Sequence, residues 1–211
     1  MTTDAYLTAR GPGEAVFVEK RSRFVGTVRP VFFEEAARAV LSEARAVHRD
    51  ASHHVFAYLL RENGQARCSD DGEPQGTGGL PVLEVLRREG LVDVCCVVSR
   101  YFGGVLLGAP GLVRAYARAA KAAVDNAGVA VMRPWTRVTL SCPYPLWRLV
   151  QQEIAASGGL EDEANYATNV TCRLSLPEGA VAGFCRRVGE LSSGSVNPTV
   201  HGVRFLAGDN S

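Results

Sequence analysis

Hydrophobic and polar positions divide the chain into two patterned stretches with a reset between them. The first is built around Val94-Cys95-Cys96-Val97-Val98, an unbroken apolar run that predicts a strand covered on both faces. Residues 99–111 follow as a loop holding Gly103, Gly104, Gly108 and Gly111, and a helical pattern begins at Leu112. That helix carries Leu112, Tyr116, Ala119, Ala120 and Ala123 on one face and Arg114, Arg118 and Lys121 on another. Upstream, residues 16–18 and 24–28 read as strands flanking a charged turn with Lys20, Arg21 and Arg23. The spacing of Ala36, Val40, Ala44 and Val47 predicts a helix over residues 33–48. Residues 53–60 form a strand, turned by Glu62-Asn63-Gly64 into a shorter one ending at Cys68. A polar loop over 69–79 comes next, then a helix opened by Pro81 and closed near Gly90.

The pattern resets at Met132-Arg133-Pro134-Trp135, which predicts domains over 1–133 and 134–211. Beyond the break, Val138, Leu140 and Cys142 alternate as a strand, and Leu146, Leu149, Val150 and Ile154 form a helix face. Strands over 160–166 and 170–176, a helix from Val181 to Leu191 and a strand over 195–205 complete a βαββαβ order. That order predicts a ferredoxin-like domain, a four-stranded antiparallel sheet with two helices on one face.

Composition narrows the partners. With 211 residues, 46% hydrophobic content and net charge +1, the chain buries a real core and is no general polycation. Lys and Arg outnumber Asp and Glu by 17 to 15 up to Arg133 and fall short by 6 to 7 after it, so neither part is a cationic clamp. Any nucleic-acid contact must come from a local patch. The polar N-terminus and the lack of a long apolar run predict a cytoplasmic chain without membrane contact, and the six cysteines, with no C-x-x-C pair, read as reduced and mostly buried.

The chemistry concentrates in two glycine-rich loops. Ser69, Asp70, Asp71, Glu73, Gly76, Thr77 and Gly78 lie in the first, and Arg100, Tyr101, Phe102, Gly103 and Gly104 in the second. Backbone amides, an arginine and a helix N-terminus at one place suit an anion. A plainer reading makes the glycines a tight corner in which Arg100 pairs with Asp70 or Asp71. Neither loop is a Walker or a dinucleotide fingerprint, so no cofactor is expected.

Taken in order, these segments closely resemble the signature of the IMPACT / YigZ family in its bacterial two-domain form. Ser22-Arg23-Phe24, Asp50-Ala51-Ser52-His53-His54, the loop over 69–81, residues 97–108 and Gly111-Leu112-Val113-Arg114-Ala115-Tyr116 all match its pattern. Ala109-Pro110 departs from it and removes one backbone donor. The resemblance implies an α+β chain: an N-terminal two-layer α/β domain, ribosomal-protein domain-2-like and similar to domain IV of elongation factor G, followed by the ferredoxin-like domain. It also implies a role in translation control, without the separate N-terminal domain of the eukaryotic members.

Three functions follow as expectations. The favoured one is a non-enzymatic, translation-associated protein that binds RNA, a ribosome or a phosphate-bearing ligand, or a translation-related protein. Arg100, Tyr101, Phe102, Gly103, Gly104, Arg114, Gly76, Thr77 and Gly78 would touch the ligand, supported by His53, His54, Ser69, Asp70, Asp71 and Glu73. A second is a metal-assisted hydrolase using His53 or His54 with Asp70, Asp71 or Glu73. The two histidines are adjacent on a strand, so only one faces any one site. A third is a structural interaction module whose two loops interlock.

Overall fold

The computed structural model describes residues 4–208. The chain divides into two compact units, Tyr6–Met132 and Arg133–Leu206. In the first, β1 (Tyr6–Ala9), β2 (Gly13–Glu19) and β3 (Ser22–Pro30) precede α1 (Glu34–Val47), and β4 (His53–Leu60) and β5 (Gln65–Ser69) precede α2 (Gly79–Arg88). Then come β6 (Val94–Tyr101), α3 (Ala109–Ala127) and β7 (Val129–Cys142).

The antiparallel sheet has the order β2-β3-β6-β4-β5, so the apolar run at β6 occupies its centre. Alternation sorts its side chains. Val94, Cys96 and Val98 join α2 and α3 in the larger core, with Phe24, Val55, Leu86 and Tyr116. Cys95 and Val97 meet Ala37, Val40 and Ala44 of α1 in a smaller cluster on the reverse face. The two expected layers are therefore the sheet and the α2/α3 pair, and α1 adds a partial cover behind them.

Sequence periodicity missed β1, which pairs Tyr6–Ala9 with Met132–Val129. The predicted break at residues 132–135 lies within β7, one continuous strand, at the place where the two units divide. Pro134 falls between the ladder to β1, ending at Met132, and the ladder to β9 (Val170–Pro177), starting at Trp135, where its missing N–H interrupts neither.

In the second unit, α4 (Tyr144–Ala156), β8 (Leu160–Tyr166), β9, α5 (Val181–Leu191) and β10 (Thr199–Ala207) follow the later part of β7, from Arg133. The sheet runs β7-β9-β8 with β10 also paired to β7, the ferredoxin-like order. Trp147, Val150, Ile154, Phe184 and Val188 of the two helices cover Val138, Leu140, Cys172 and Leu174. The final strand starts later than the sequence pattern suggests, because Val196 is buried ahead of it. All six cysteines are free; Cys95, Cys96, Cys142 and Cys172 are buried, whereas Cys68 is exposed. No described helix is long and apolar enough to cross a membrane.

Burial separates tolerant from intolerant positions. Leu86 is fully buried and Leu106 is 81% exposed. Chemical denaturation should show Leu86→Ala losing about 2–5 kcal/mol and Leu106→Ala losing less than about 0.5 kcal/mol.

Candidate functional site

Strand register assembles the site. Phe24 and His53 both pair with Arg100, so the three side chains form one row on the α2/α3 side of the sheet. Glu73 from the first loop and Tyr116 from α3 close over that row. Arg100 Nη1 donates to Glu73 Oε1 at 2.6 Å, and Tyr116 Oη donates to the same oxygen at 2.6 Å. Arg100 is 5% exposed and Glu73 8%. Burial first, and then the bond to Glu73 and its charge, push the Tyr116 hydroxyl pKa well up, so it remains a donor. Phe24 meets Tyr116 edge-on at 5.2 Å.

The partner of Arg100 is therefore Glu73, not Asp70 or Asp71. Asp70 instead accepts backbone N–H bonds from Gly76, Gly78 and Gly79 at 2.8–2.9 Å, which shapes the loop and holds the start of α2. Burial works to raise its pKa, but the three donors outweigh it and hold the carboxyl below its ordinary value. Asp71 accepts from Arg45 Nη2 and from the His54 backbone N–H, both at 2.7 Å. Thr77 donates through its N–H and its hydroxyl to the Pro74 carbonyl, and Ser69 Oγ accepts from the Asp71 N–H. The amides of Gly76 and Gly78 thus cradle a carboxylate of the chain itself. The three acids point to three separate partners, which does not fit the joint ligand set that a metal-assisted hydrolase needs. Among the described residues no three His, Cys, Asp or Glu side chains gather as a metal set.

His53 and His54 do face opposite ways. His54 is buried on the α1 side, its Nδ1 2.9 Å from Ser99 Oγ, and burial lowers its pKa. His53 Nδ1 lies 2.8 Å from the Asp71 carbonyl, which only accepts, so Nδ1 carries the proton and Nε2 is left toward Glu73 at 4.0 Å.

The second loop also splits by face. Tyr101 joins the reverse side, where Arg23 stacks over its ring at 4.0 Å and His48 Nδ1 meets its hydroxyl at 2.8 Å. Phe102 stays on the cleft side, 49% exposed, with the Arg100 guanidinium 5.4 Å from its ring. Gly103 N–H donates to Ser22 Oγ at 3.2 Å, and a Cβ there would lie 2.1 Å from the Arg21 backbone, so only glycine lets the loop rest on the β2–β3 turn. Gly104 is exposed. Gly108 has φ +70° and ψ 162°, a conformation that only glycine adopts freely, and Pro110 occupies the first turn of α3, where its missing N–H leaves no helix bond unmade.

Two hollows result. A cleft of about 380 Å³ lies between the loops, lined by His53, Glu73, Arg100, Phe102, Leu106 and Leu112 among others. A smaller one of about 210 Å³ lies among Phe17, Glu19, Lys20, Leu107, Arg114 and Arg118. The larger hollow of about 710 Å³ in the second unit is a sheet face on which Arg173 pairs with Glu163 and Arg204 with Asp162, with Arg137 beside them.

Comparison with known proteins fits this architecture. A family model described as the Impact N-terminal domain matches residues 20–124, and one described as a domain of unknown function (DUF1949) matches 140–195. IMPACT family member YvyE of Bacillus subtilis is 34% identical over 191 residues, 90% of this chain and 88% of that one. The chain belongs to the IMPACT family. IMPACT family member YigZ of Escherichia coli is 34% identical over 92% of this chain and 96% of its own. Protein IMPACT of Homo sapiens matches at 32% over 43% of this chain and 29% of its own. A crystal structure titled as that of a hypothetical protein covers 100% of both chains at 32% identity and a TM-score of 0.65. Every loop residue described above lies inside the Impact N-terminal match.

Sequence reasoning missed Ser22 and Tyr116 as members of the buried tie. A phenol on an otherwise apolar helix face was the available signal, since a buried hydroxyl needs a partner.

Two outcomes test the tie and the loop. Glu73→Gln leaves Arg100 buried without its counter-charge and should cost about 3–5 kcal/mol in denaturant unfolding. Because Asp70 has a folded pKa below its unfolded value of about 4, its contribution is complete above that value and disappears as pH falls through the folded one. Asp70→Asn should therefore be less stable than wild type at pH 7, with the difference shrinking toward pH 2, as followed by thermal melts.

Proposed function

We propose that the first unit is a non-enzymatic binding module for RNA, on or off the ribosome, and that its contact surface is the basic rim beside the cleft. One observation carries this reading. Lys20, Arg21, Arg114 and Arg118 gather around the β2–β3 turn and α3, and none of the four has an ion-pair partner among the described residues. Most other arginines of the unit, such as Arg38, Arg45, Arg61 and Arg100, are matched to carboxylates. Unmatched cations beside an exposed aromatic such as Phe102 suit a phosphate backbone with a base stacked alongside.

Arg100 has a different part in this reading. Its charge is balanced by Glu73, so it holds the loop that carries the rim and does not grip phosphate. Arg114, Phe102 and Gly104 remain at the contact surface. The IMPACT relationship supports a translation-associated partner, and RNA is the partner whose chemistry matches the rim.

Filter binding of the purified protein to bulk ribosomal RNA over a salt series tests the idea. Affinity should fall steeply with salt, and Arg114→Ala/Arg118→Ala should weaken it and reduce the slope of log K against log salt by about 2. Absence of RNA binding at low salt would sink the proposal.

A further inference from the structure

The cleft beside the rim combines an apolar lining with an unmet hydrogen-bond acceptor. Phe102, Leu106, Leu107, Leu112 and Pro74 supply the lining. Glu73 also lines it and uses Oε1 twice, for Arg100 Nη1 and for the Tyr116 hydroxyl, both at 2.6 Å. Its Oε2 accepts no hydrogen bond among the described residues and is not sealed from solvent, although the side chain as a whole is 3% exposed. A carboxylate oxygen that has left bulk water without gaining a donor calls for one. His53 lines the same space, and with its proton on Nδ1 its Nε2, 4.0 Å from Glu73 Oε1, is a second acceptor.

These acceptors select the occupant by elimination. Arg100 balances the charge of Glu73, so a cation gains no net attraction there, and an anion would meet the free oxygen at close range. A purely apolar molecule would leave both acceptors without donors. What fits is a neutral, flat apolar body with N–H donors on its edge, the description of a nucleobase that carries an amino group. The rim supplies the place for the rest of such a ligand. Leu107 lines both hollows, and on the first turns of α3 Ala109 and Leu112 border the cleft whereas Gly111 and Arg114 border the rim hollow. Resting on the RNA reading above, we propose that the partner is single-stranded RNA, with its phosphates on the rim and one unstacked, amino-bearing base turned into the cleft against Phe102 and Leu106, its amino group donating to Glu73 Oε2. A duplex keeps its bases stacked and paired, so it reaches the rim and not the cleft. The volume of about 380 Å³ lies at the small end of ligand pockets, which suits one base and not a stacked run.

His53 reports on the cleft directly. The chain has 4 histidines, so its imidazole signals can be followed individually by NMR. His48 bonds Tyr101 on the reverse face, and His201 lies in the second unit, so both serve as internal references. Glu73 stays in place throughout, because removing it would unsettle the buried pair; the identity of the base tests its free oxygen instead.

The experiment titrates the full chain at low salt with short oligo(C), oligo(U) and an RNA duplex of the same length, reading affinity by fluorescence anisotropy and the cleft by the His53 signals. Oligo(C), whose bases carry an amino group, should bind about fivefold or more tighter than oligo(U), which lacks one, and than the duplex. It should shift His53 saturably, with His48 and His201 unmoved, while the duplex leaves His53 in place. Phe102→Ala should weaken oligo(C) by about fivefold or more and Leu106→Ala by about twofold or more, with circular dichroism and melting as in wild type and duplex affinity changed by less than about twofold. The proposal is overturned if oligo(U) or the duplex binds as tightly as oligo(C), if oligo(C) leaves His53 unmoved, or if both variants bind oligo(C) like wild type. Those results leave the RNA reading standing as long as binding still depends on Arg114 and Arg118; absence of binding to all three RNAs overturns both.

Discussion

A loop without hydrophobic content has nothing to pack with, and residues 69–79 are such a loop. What holds it is the buried ion pair between Glu73 and Arg100, completed by the Tyr116 hydroxyl. The pair joins the first loop, the central strand and the long helix, and breaking one partner strands a charge in the interior. Asp70 and Asp71 then set the loop's inner shape by binding its amides, the His54 backbone and Arg45. Because the loop is fixed, the second loop has a surface to face, and a cleft exists between them.

The distribution of paired and unpaired charge follows from the same arrangement. Acids in the first loop are all satisfied inside the unit, so they repel a phosphate less than their number suggests. The cations of the rim lie on a hairpin turn and a helix flank without an ion-pair partner among the described residues, although Glu19 lines the same hollow and Arg118 stacks over Phe17. A net charge near zero thus coexists with a local basic surface, as an average hides a segregated distribution. Beside that surface lies an apolar wall, and the two chemistries meet at Leu107.

Much of the architecture was legible along the chain. The period of the apolar residues located the central strand, the flanking helices and the βαββαβ order of the second unit, because burial on one face imposes that period locally. The five family segments pointed to the right family. β1 was not legible, since a short strand with one Leu and one Tyr has too little pattern, and its pairing with β7 spans most of the first unit. The pattern reset at residues 132–135 lies where the two units divide, yet β7 runs unbroken through it and changes partner there from β1 to β9, a continuity that the reset does not reveal.

Residue identity by itself singled out two glycine-rich loops, an arginine, three acids and two histidines as candidates, and determined that adjacent histidines on a strand would part to opposite faces. Only the tertiary structure decided which acid meets Arg100, that Tyr101 and Phe102 serve different sides, and that the free cations lie on the rim while Arg100 lies in the core. The physical reason is that periodicity is a local property of the backbone, whereas a charge pair is chosen by strand register and loop geometry between residues far apart in the chain. Glu73 and Arg100 are brought together across the sheet face by the pairing of His53 and Phe24 with the central strand, and no spacing along the chain encodes that meeting.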